Sequence, residues 1–311
     1  MIKLLEEYDL IMMEGSVNER LRRSDKVELH PILVSAPLIY SKEGRKELSR
    51  IYNSYIDLTK GSEIPFLICA PTWRANYLRV SESGINTNIN IDAVNFMKEI
   101  RRSYGTFSHK IKIGGLIGCK NDCYKPEEGL STKDSELFHA WQIDQLAKAG
   151  VDFIIAETIP TVKEALGMAK CFKRIDIPYI IGFVISRDGL ILDGTKLNDA
   201  INIIDEEVTN QPIGYFIICS HPSFLCAENQ PESLFNRLIG YLGNASSLDH
   251  CELDGSKTLK TDNVSDWGKQ MLKLNMTFGI KILGGCCGTS EEHLKYIIEN
   301  WQTDIGKNMV K

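Results

Sequence analysis

Eight short apolar runs recur along the chain, separated by longer amphipathic segments, and this alternation restricts the possible folds more than any other feature. The runs cover residues 10–13, 66–69, 113–117, 153–156, 179–184, 215–218, 238–241 and 280–283. Short runs that are apolar at nearly every position are typical of parallel strands buried on both faces, with crossover helices between them. Eight such units predict an α/β fold, a (β/α)8 TIM barrel.

The helices predicted between the strands cover residues 43–58, 91–103, 131–149, 162–172, 197–208, 264–275 and 290–300. Ser131 followed by Asp134 is a capping signal, and Gly150 is expected to end the same helix. The seventh apolar run could equally be the end of a helix that begins near Pro231. Because the 311 residues contain no linker rich in Pro, Ser or Gly, we expect one domain, 1–311.

In a barrel of this type the active site is built at the carboxyl ends of the strands. The residues that follow or end predicted strands include two carboxylates, Glu14 and Glu157, and three thiols, Cys219, Cys286 and Cys287. Core packing alone does not account for two carboxylates and three thiols at one mouth of the barrel. A carboxylate in such a position suits a cationic group of a ligand.

Cys286 and Cys287 lie in the sequence Gly-Gly-Cys-Cys-Gly-Thr, directly after the last apolar run. Adjacent cysteines rarely bridge each other without strain, whereas two thiolates on a glycine-rich turn can bind one zinc ion. Zinc needs at least three protein ligands, and Cys219 is the candidate third ligand because it ends another strand. Two alternatives remain for the pair: plain packing under a tight turn, or a backbone phosphate site that does not use the thiols.

The other cysteines and the nearby histidine are not expected to bind the metal. Cys119 and Cys123 have no second ligand pair at metal-site spacing, and His221 is expected to line the rim of the mouth. The remaining cysteines, expected to be structural, are Cys69, Cys171, Cys226 and Cys251.

Composition and charge narrow the class of protein. The chain has nine cysteines and no secretory signal pattern, so the thiols are expected to be reduced and the protein cytoplasmic. No apolar stretch is long enough for a membrane span, and a net charge of -5 gives no electrostatic reason to expect nucleic acid binding. The expected partners are therefore small-molecule substrates.

These motifs together resemble the homocysteine S-methyltransferase family, a group of zinc-thiolate barrels. The resemblance covers nearly the whole chain and is most specific at the Gly-Gly-Cys-Cys-Gly-Thr motif, Cys219 and Glu157. It implies that Cys219, Cys286 and Cys287 bind Zn²⁺ and that Glu157 holds the amino group of a homocysteine-like substrate. Glu14 is at the position where family members usually have an Asp followed by Gly. The side chain of that Asp is one methylene shorter than the side chain of Glu14.

Two further departures concern the methyl donor. Residues 70–73 replace a Thr-Asn-Thr run found in many members, and residues 244–247 resemble only a subset of the family. We expect no extra domain for cobalamin or folate, and therefore no self-contained cobalamin-dependent reaction.

The resemblance implies an enzyme that transfers a methyl group from a sulfonium or quaternary ammonium donor to the thiol of homocysteine, giving methionine. A free thiol is mostly protonated at neutral pH, and zinc coordination favours the thiolate without a dedicated base. The alternative is a non-catalytic zinc- or thiol-binding barrel with a diverged donor pocket. The third interpretation, a lyase or isomerase that acts on a phosphate-bearing substrate, is ranked last because no lysine is suitably placed at the end of a predicted strand.

Overall fold

A computed structural model describes residues 1–253, 256 and 258–308, and within them eight parallel strands close into a barrel. Neighbouring strands pair in chain order, and the last pairs with the first. The strands are β1 Ile11–Met13, β2 Phe66–Cys69, β3 Ile111–Gly118, β4 Phe153–Ile159, β5 Tyr179–Phe183, β6 Gly214–Ser220, β7 Leu238–Gly243 and β8 Ile282–Gly285. The (β/α)8 fold is confirmed, and each predicted apolar run overlaps one strand.

Helices of the described residues connect the strands on the outside of the barrel. They are α1 Ile2–Glu7, α2 Asn18–Arg22, α3 Lys42–Lys60, α4 Tyr77–Ser83, α5 Ile89–Ser103, α6 Thr132–Ala149, α7 Val162–Cys171, α8 Leu197–Glu207, α9 His250–Leu253, α10 Val264–Phe278 and α11 Glu291–Asn308. All seven predicted helices are present. The sequence analysis missed α1, α2, α4 and α9, which are too short to show a helical period. None of these helices has the length and apolar character needed to cross a membrane.

Strand residues alternate between two apolar layers, which explains why whole strands are apolar. Phe153 and Ile155 of β4 belong to the cluster inside the barrel, whereas Ile154 and Ala156 belong to the cluster between the strands and the helices. Both layers exclude water, so each strand buries both of its faces. This alternation sets the direction expected for any side chain that ends a strand.

The seventh run is a strand and not the end of a helix. A short 3-10 turn, Glu232–Asn236, precedes it, and β7 then pairs with β6 and β8. A side chain at Gly240 would collide with the ring of Phe216 on β6 at 2.3 Å. Glycine therefore permits the close approach of these two strands.

Candidate active site

Three cysteine side chains converge at the carboxyl ends of the strands. Cys219 lies within β6, and Cys286 and Cys287 follow β8; their sulfur atoms all lie within 4.8 Å of one another. We call these three sulfur atoms the sulfur cluster. Zinc–sulfur bonds of about 2.3 Å in a tetrahedron place ligand sulfurs about 3.8 Å apart. Sulfurs brought this close together can, when they are reduced, bind one tetrahedral metal ion and leave a fourth position for a substrate.

Two members of the sulfur cluster are in direct contact. The structure pairs Cys219 with Cys286 as a disulfide with Cα atoms 5.4 Å apart, and Cys287 lies outside this disulfide. The sequence analysis expected every thiol to be reduced, and this pair differs from that expectation. The physical reason is the convergence itself, because sulfurs arranged to share one cation also lie within reach of each other.

A local distortion of β6 turns Cys219 into the barrel. By simple alternation Cys219 would face the helices together with Tyr215 and Ile217, which belong to the outer layer. Its φ of 57° and the register shift between Ile218 and Ser220 break the alternation, and Cys219 packs with the interior cluster. A positive φ is uncommon for a residue with a side chain, so the surrounding structure must hold it.

Asn244, directly after β7, links the two segments that carry the sulfur cluster. Its side-chain NH2 donates to the carbonyl of Cys219 at 2.8 Å, and its side-chain oxygen accepts from the N–H of Cys287 at 3.1 Å. The side chain is buried, and the indole N–H of Trp267 donates to the Asn244 carbonyl at 2.9 Å. One amide group therefore fixes the spacing between the two cysteine-bearing segments.

The turn after β8 is held by neighbours of the cysteines. The hydroxyl of Thr289 donates to the carbonyl of Cys286 at 2.7 Å and accepts from the N–H of Ser16 at 3.1 Å. Gly288 has a φ of 82°, and its N–H donates to a carboxylate oxygen of Glu19. Glycine adopts this conformation without strain, so the motif sequence shapes the turn.

Glu157 and Glu14 lie near each other at the same mouth. Burial raises the pKa of Glu157 to about 8. Burial also raises the pKa of Glu14 well above its usual range; the backbone N–H of Cys69, which donates to Glu14 at 2.7 Å, opposes that rise, and the charge of Glu157 adds to it. Glu14 is buried and Glu157 is half-buried, and two neighbouring carboxyls that resist ionisation together can accept a cationic group.

Trp73 and Thr158 form the wall beside Glu157. The indole N–H of Trp73 donates to the hydroxyl of Thr158 at 3.1 Å, and that hydroxyl donates to the carbonyl of Glu157 at 2.6 Å. Thr158 has a φ of 59°, next to a register shift between β4 and β5. A side chain at Gly118 would meet the Trp73 ring at 2.5 Å, so the indole packs directly on the β3 backbone.

Other sequence-predicted residues take different positions. His221 was expected at the rim, and this expectation is wrong: it is buried, and its Nδ1 lies 2.7 Å from the hydroxyl of Ser223. Burial lowers the pKa of His221. Cys119 and Cys123 are buried thiols outside the sulfur cluster. The sequence analysis gave no role to Asn244, although its position directly after a predicted strand was an available signal.

Comparisons with known proteins agree with the geometry. The family model described as homocysteine S-methyltransferase matches residues 11–301. The chain is 24% identical to homocysteine S-methyltransferase 2 of Saccharomyces cerevisiae, covering 93% of this chain and 92% of the yeast protein. It is 26% identical to homocysteine S-methyltransferase YbgG of Bacillus subtilis, covering 56% of this chain and 54% of that protein.

Solved structures show the same fold. The metallated form of the homocysteine methyltransferase MmuM from Escherichia coli superimposes with a TM-score of 0.74 at 16% identity, covering 96% of this chain and 98% of that one. The oxidized form of the same protein gives a TM-score of 0.73 at the same identity and coverage. Because the family model spans almost the whole barrel, including the sulfur cluster, the resemblance drawn from the sequence motifs is confirmed: the chain belongs to the homocysteine S-methyltransferase family.

Proposed function

We propose that the protein is an S-methyltransferase that uses zinc to transfer a methyl group from a sulfonium or quaternary ammonium donor to the thiol of homocysteine, giving methionine. The observation that carries the proposal is the convergence of Cys219, Cys286 and Cys287 within 4.8 Å. This convergence occurs in a chain that matches the family model over residues 11–301.

The choice of zinc follows from the donor set. Three thiolates suit zinc, whereas magnesium and calcium prefer oxygen ligands. When bound, the ion lowers the pKa of a thiol at its open position and so supplies a nucleophile at neutral pH. Asn244 sets the separation of the two cysteine-bearing segments, and Thr289 holds the turn that carries Cys286.

The carboxyls orient the acceptor. Glu157 binds the ammonium group of homocysteine, with Glu14 as a second, more weakly ionised neighbour. An ammonium group beside Glu157 favours the charged form of that carboxyl and offsets the burial that raises its pKa. The thiol end of the same molecule then points to the sulfur cluster, because amino group and thiol are joined by a short chain.

The methyl transfer needs no reactant other than the methyl donor and the acceptor thiol. The acceptor thiol releases its proton to solvent on binding, and its electron pair forms the new S–CH3 bond. The bond between the methyl carbon and the donor sulfur or nitrogen breaks, and its electron pair stays on that leaving atom, which becomes neutral. The chain contributes alignment, since both reactants must approach in line within one mouth.

This chemistry needs reduced cysteines, so we propose that the protein acts in the reducing cytoplasm. A disulfide between Cys219 and Cys286 removes two of the three thiolates from the ligand set. Reduction must therefore precede metal binding.

The test combines metal analysis with turnover. Reduced protein is titrated with Zn²⁺, and methionine formation is measured with homocysteine and a panel of sulfonium and quaternary ammonium donors. Cys286→Ala should lose both zinc and activity, whereas Cys171→Ala, which changes a half-buried thiol on α7 outside the sulfur cluster, should keep both. A Cys286→Ala variant that retains zinc and turnover would rule out the proposal.

A further inference from the structure

A contact between two loops crosses the mouth of the barrel. The rings of Tyr124 and His250 are stacked, with their centres 4.5 Å apart and an angle of 18° between their planes. Tyr124 belongs to the loop after β3, and His250 is the first residue of α9 in the loop after β7. In the closed barrel β4, β5 and β6 separate these two strands on one side, and β8, β1 and β2 separate them on the other. The two loops therefore come from opposite sides of the barrel and meet by reaching across its mouth.

The same two loops line a cavity that also contains members of the sulfur cluster. The cavity has a volume of about 710 Å³, and its wall includes Cys219 and Cys287. Tyr124 lines it from the loop after β3, and Leu253 lines it from the last position of α9. A volume of this size is within the range of sites that enclose a small ligand. The stacked rings therefore lie at the edge of the space in which a ligand would reach these cysteines.

The loop after β3 is anchored at both of its ends by one carboxylate. Glu164 of α7 is buried, and its side chain accepts the N–H of Lys120 at 2.9 Å and the N–H of Leu130 at 3.3 Å. Nε2 of the buried His139 lies 3.1 Å from the same carboxylate. Segments tied down by buried hydrogen bonds open rarely, so Tyr124 belongs to the fixed side of the contact.

The loop after β7 is attached by weaker contacts around α9. None of the four residues of α9, all of which the structure describes, is buried. Nε2 of His250 lies 3.2 Å from the carbonyl of Ile185, and its ring meets the ring of Phe224 edge-on at 6.3 Å. Asp249 forms an ion pair with Arg187 at 2.8 Å, in which both side chains are about half exposed. Exposed ion pairs contribute little, so His250 supplies most of the attachment.

The base of this loop is closed independently of His250. The N–H of Asp262 donates to the carbonyl of Ala245 at 2.8 Å, and the N–H of Ala245 donates to the carbonyl of Cys287 at 2.9 Å. Asp249 and His250 lie beyond this base along the chain. Release of their contacts therefore leaves the support of Cys287 in place.

We propose that Tyr124 and His250 form a clasp that gates the mouth of the barrel. The loop after β7 opens at His250 to admit ligands and closes behind them, while Tyr124 stays in place. A closed clasp shields the cavity from water, which is the usual role of a mobile loop over an active site. The inference goes beyond the proposed function, because access to the cavity does not depend on which reaction occurs in it.

The test measures access to Cys287 in reduced, metal-free protein, by alkylation with a bulky maleimide and peptide mapping. Every protein carries Cys251→Ser, because Cys251 is exposed beside the clasp. His250→Ala loses the stack and the contact with Ile185, so its Cys287 should react about tenfold faster than that of wild type. His109→Ala, which removes an exposed histidine just before β3, is the matched control and should react as wild type.

A double-mutant cycle separates the clasp from local loosening. Tyr124→Ala should give a similar rise, and the double variant should react no faster than either single variant, because the two rings act as one contact. His250→Phe keeps a ring for the stack and should stay close to wild type. Cys171 on α7 is the internal reference and should react equally in all variants.

Three results would overturn the clasp: equal rates at Cys287 in wild type and His250→Ala, multiplied rates in the double variant, or a parallel rise at Cys171. The last result would mean that the whole barrel had loosened. Because the assay needs neither zinc nor turnover, its outcome is independent of the test of the proposed function.

Discussion

Asn244→Ala removes both hydrogen bonds that join the Cys219 segment to the Cys287 segment. The carbonyl of Cys219 and the N–H of Cys287 each lose a partner that lies at 2.8 and 3.1 Å. Leaving a buried polar group unsatisfied costs about 1–3 kcal/mol. Part of that loss lowers the free energy of unfolding, and part lowers metal affinity, because the sulfur cluster is no longer held at ligand spacing. Loss of such a supporting contact typically weakens metal binding about 10–100-fold.

The assay is competition for Zn²⁺ between the reduced protein and a chromophoric chelator, with urea unfolding measured in parallel. Asn275→Ala is the matched control. Asn275 also donates its side-chain NH2 to two carbonyls, those of Asp9 at 2.8 Å and Ile280 at 2.9 Å, but it lies at the amino ends of β1 and β8. We expect both variants to lose stability and only Asn244→Ala to lose zinc affinity.

Equal zinc affinity in the two variants would refute this reasoning. In that case the backbone of β6 and of the turn after β8 would hold the cysteines without help, and Asn244 would stabilise the fold alone. A drop in zinc affinity for Asn275→Ala of the same size would also contradict it, since general loosening of the barrel would then explain both results.

Four further predictions concern three residues of the mouth. Burial raises the pKa of the Glu157 carboxyl from 4.5 to about 8. The contribution of this carboxyl to stability is therefore full below pH 4.5 and declines as the pH rises to about 8. In thermal unfolding, Glu157→Gln should be as stable as wild type near pH 4 and more stable than wild type at pH 8. Glu157→Gln should also weaken homocysteine binding, measured by calorimetry, by about tenfold. Glu14→Gln should weaken it less, because Glu14 ionises less readily; an equal or larger loss would contradict this. Gly288→Ala should lose about 1–3 kcal/mol in urea unfolding, because its φ is 82° and the added carbon would lie 3.0 Å from Ala245.

Much of the fold could be predicted because strand apolarity is a local signal. Parallel strands with both faces buried are apolar throughout, and each of the eight runs became a strand, including residues 238–241 with their competing helical interpretation. The short helices α2 and α4 were missed because segments of 5 and 7 residues contain too few turns to show a period. Yet these helices place Arg22 and Arg79 in the wall of a cavity that Cys219 and Cys287 also line.

The sequence by itself determined the barrel and which thiol side chains lie at its mouth. Thiols at the ends of two predicted strands must meet at one edge, since all parallel strands end on the same side. Only the tertiary structure decided the direction of Cys219. Simple alternation points it at the helices, and the positive φ with the register shift of β6 turns it inward. Such a distortion is held by contacts with β7 and with Asn244, which are distant in the chain and leave no local mark in the sequence.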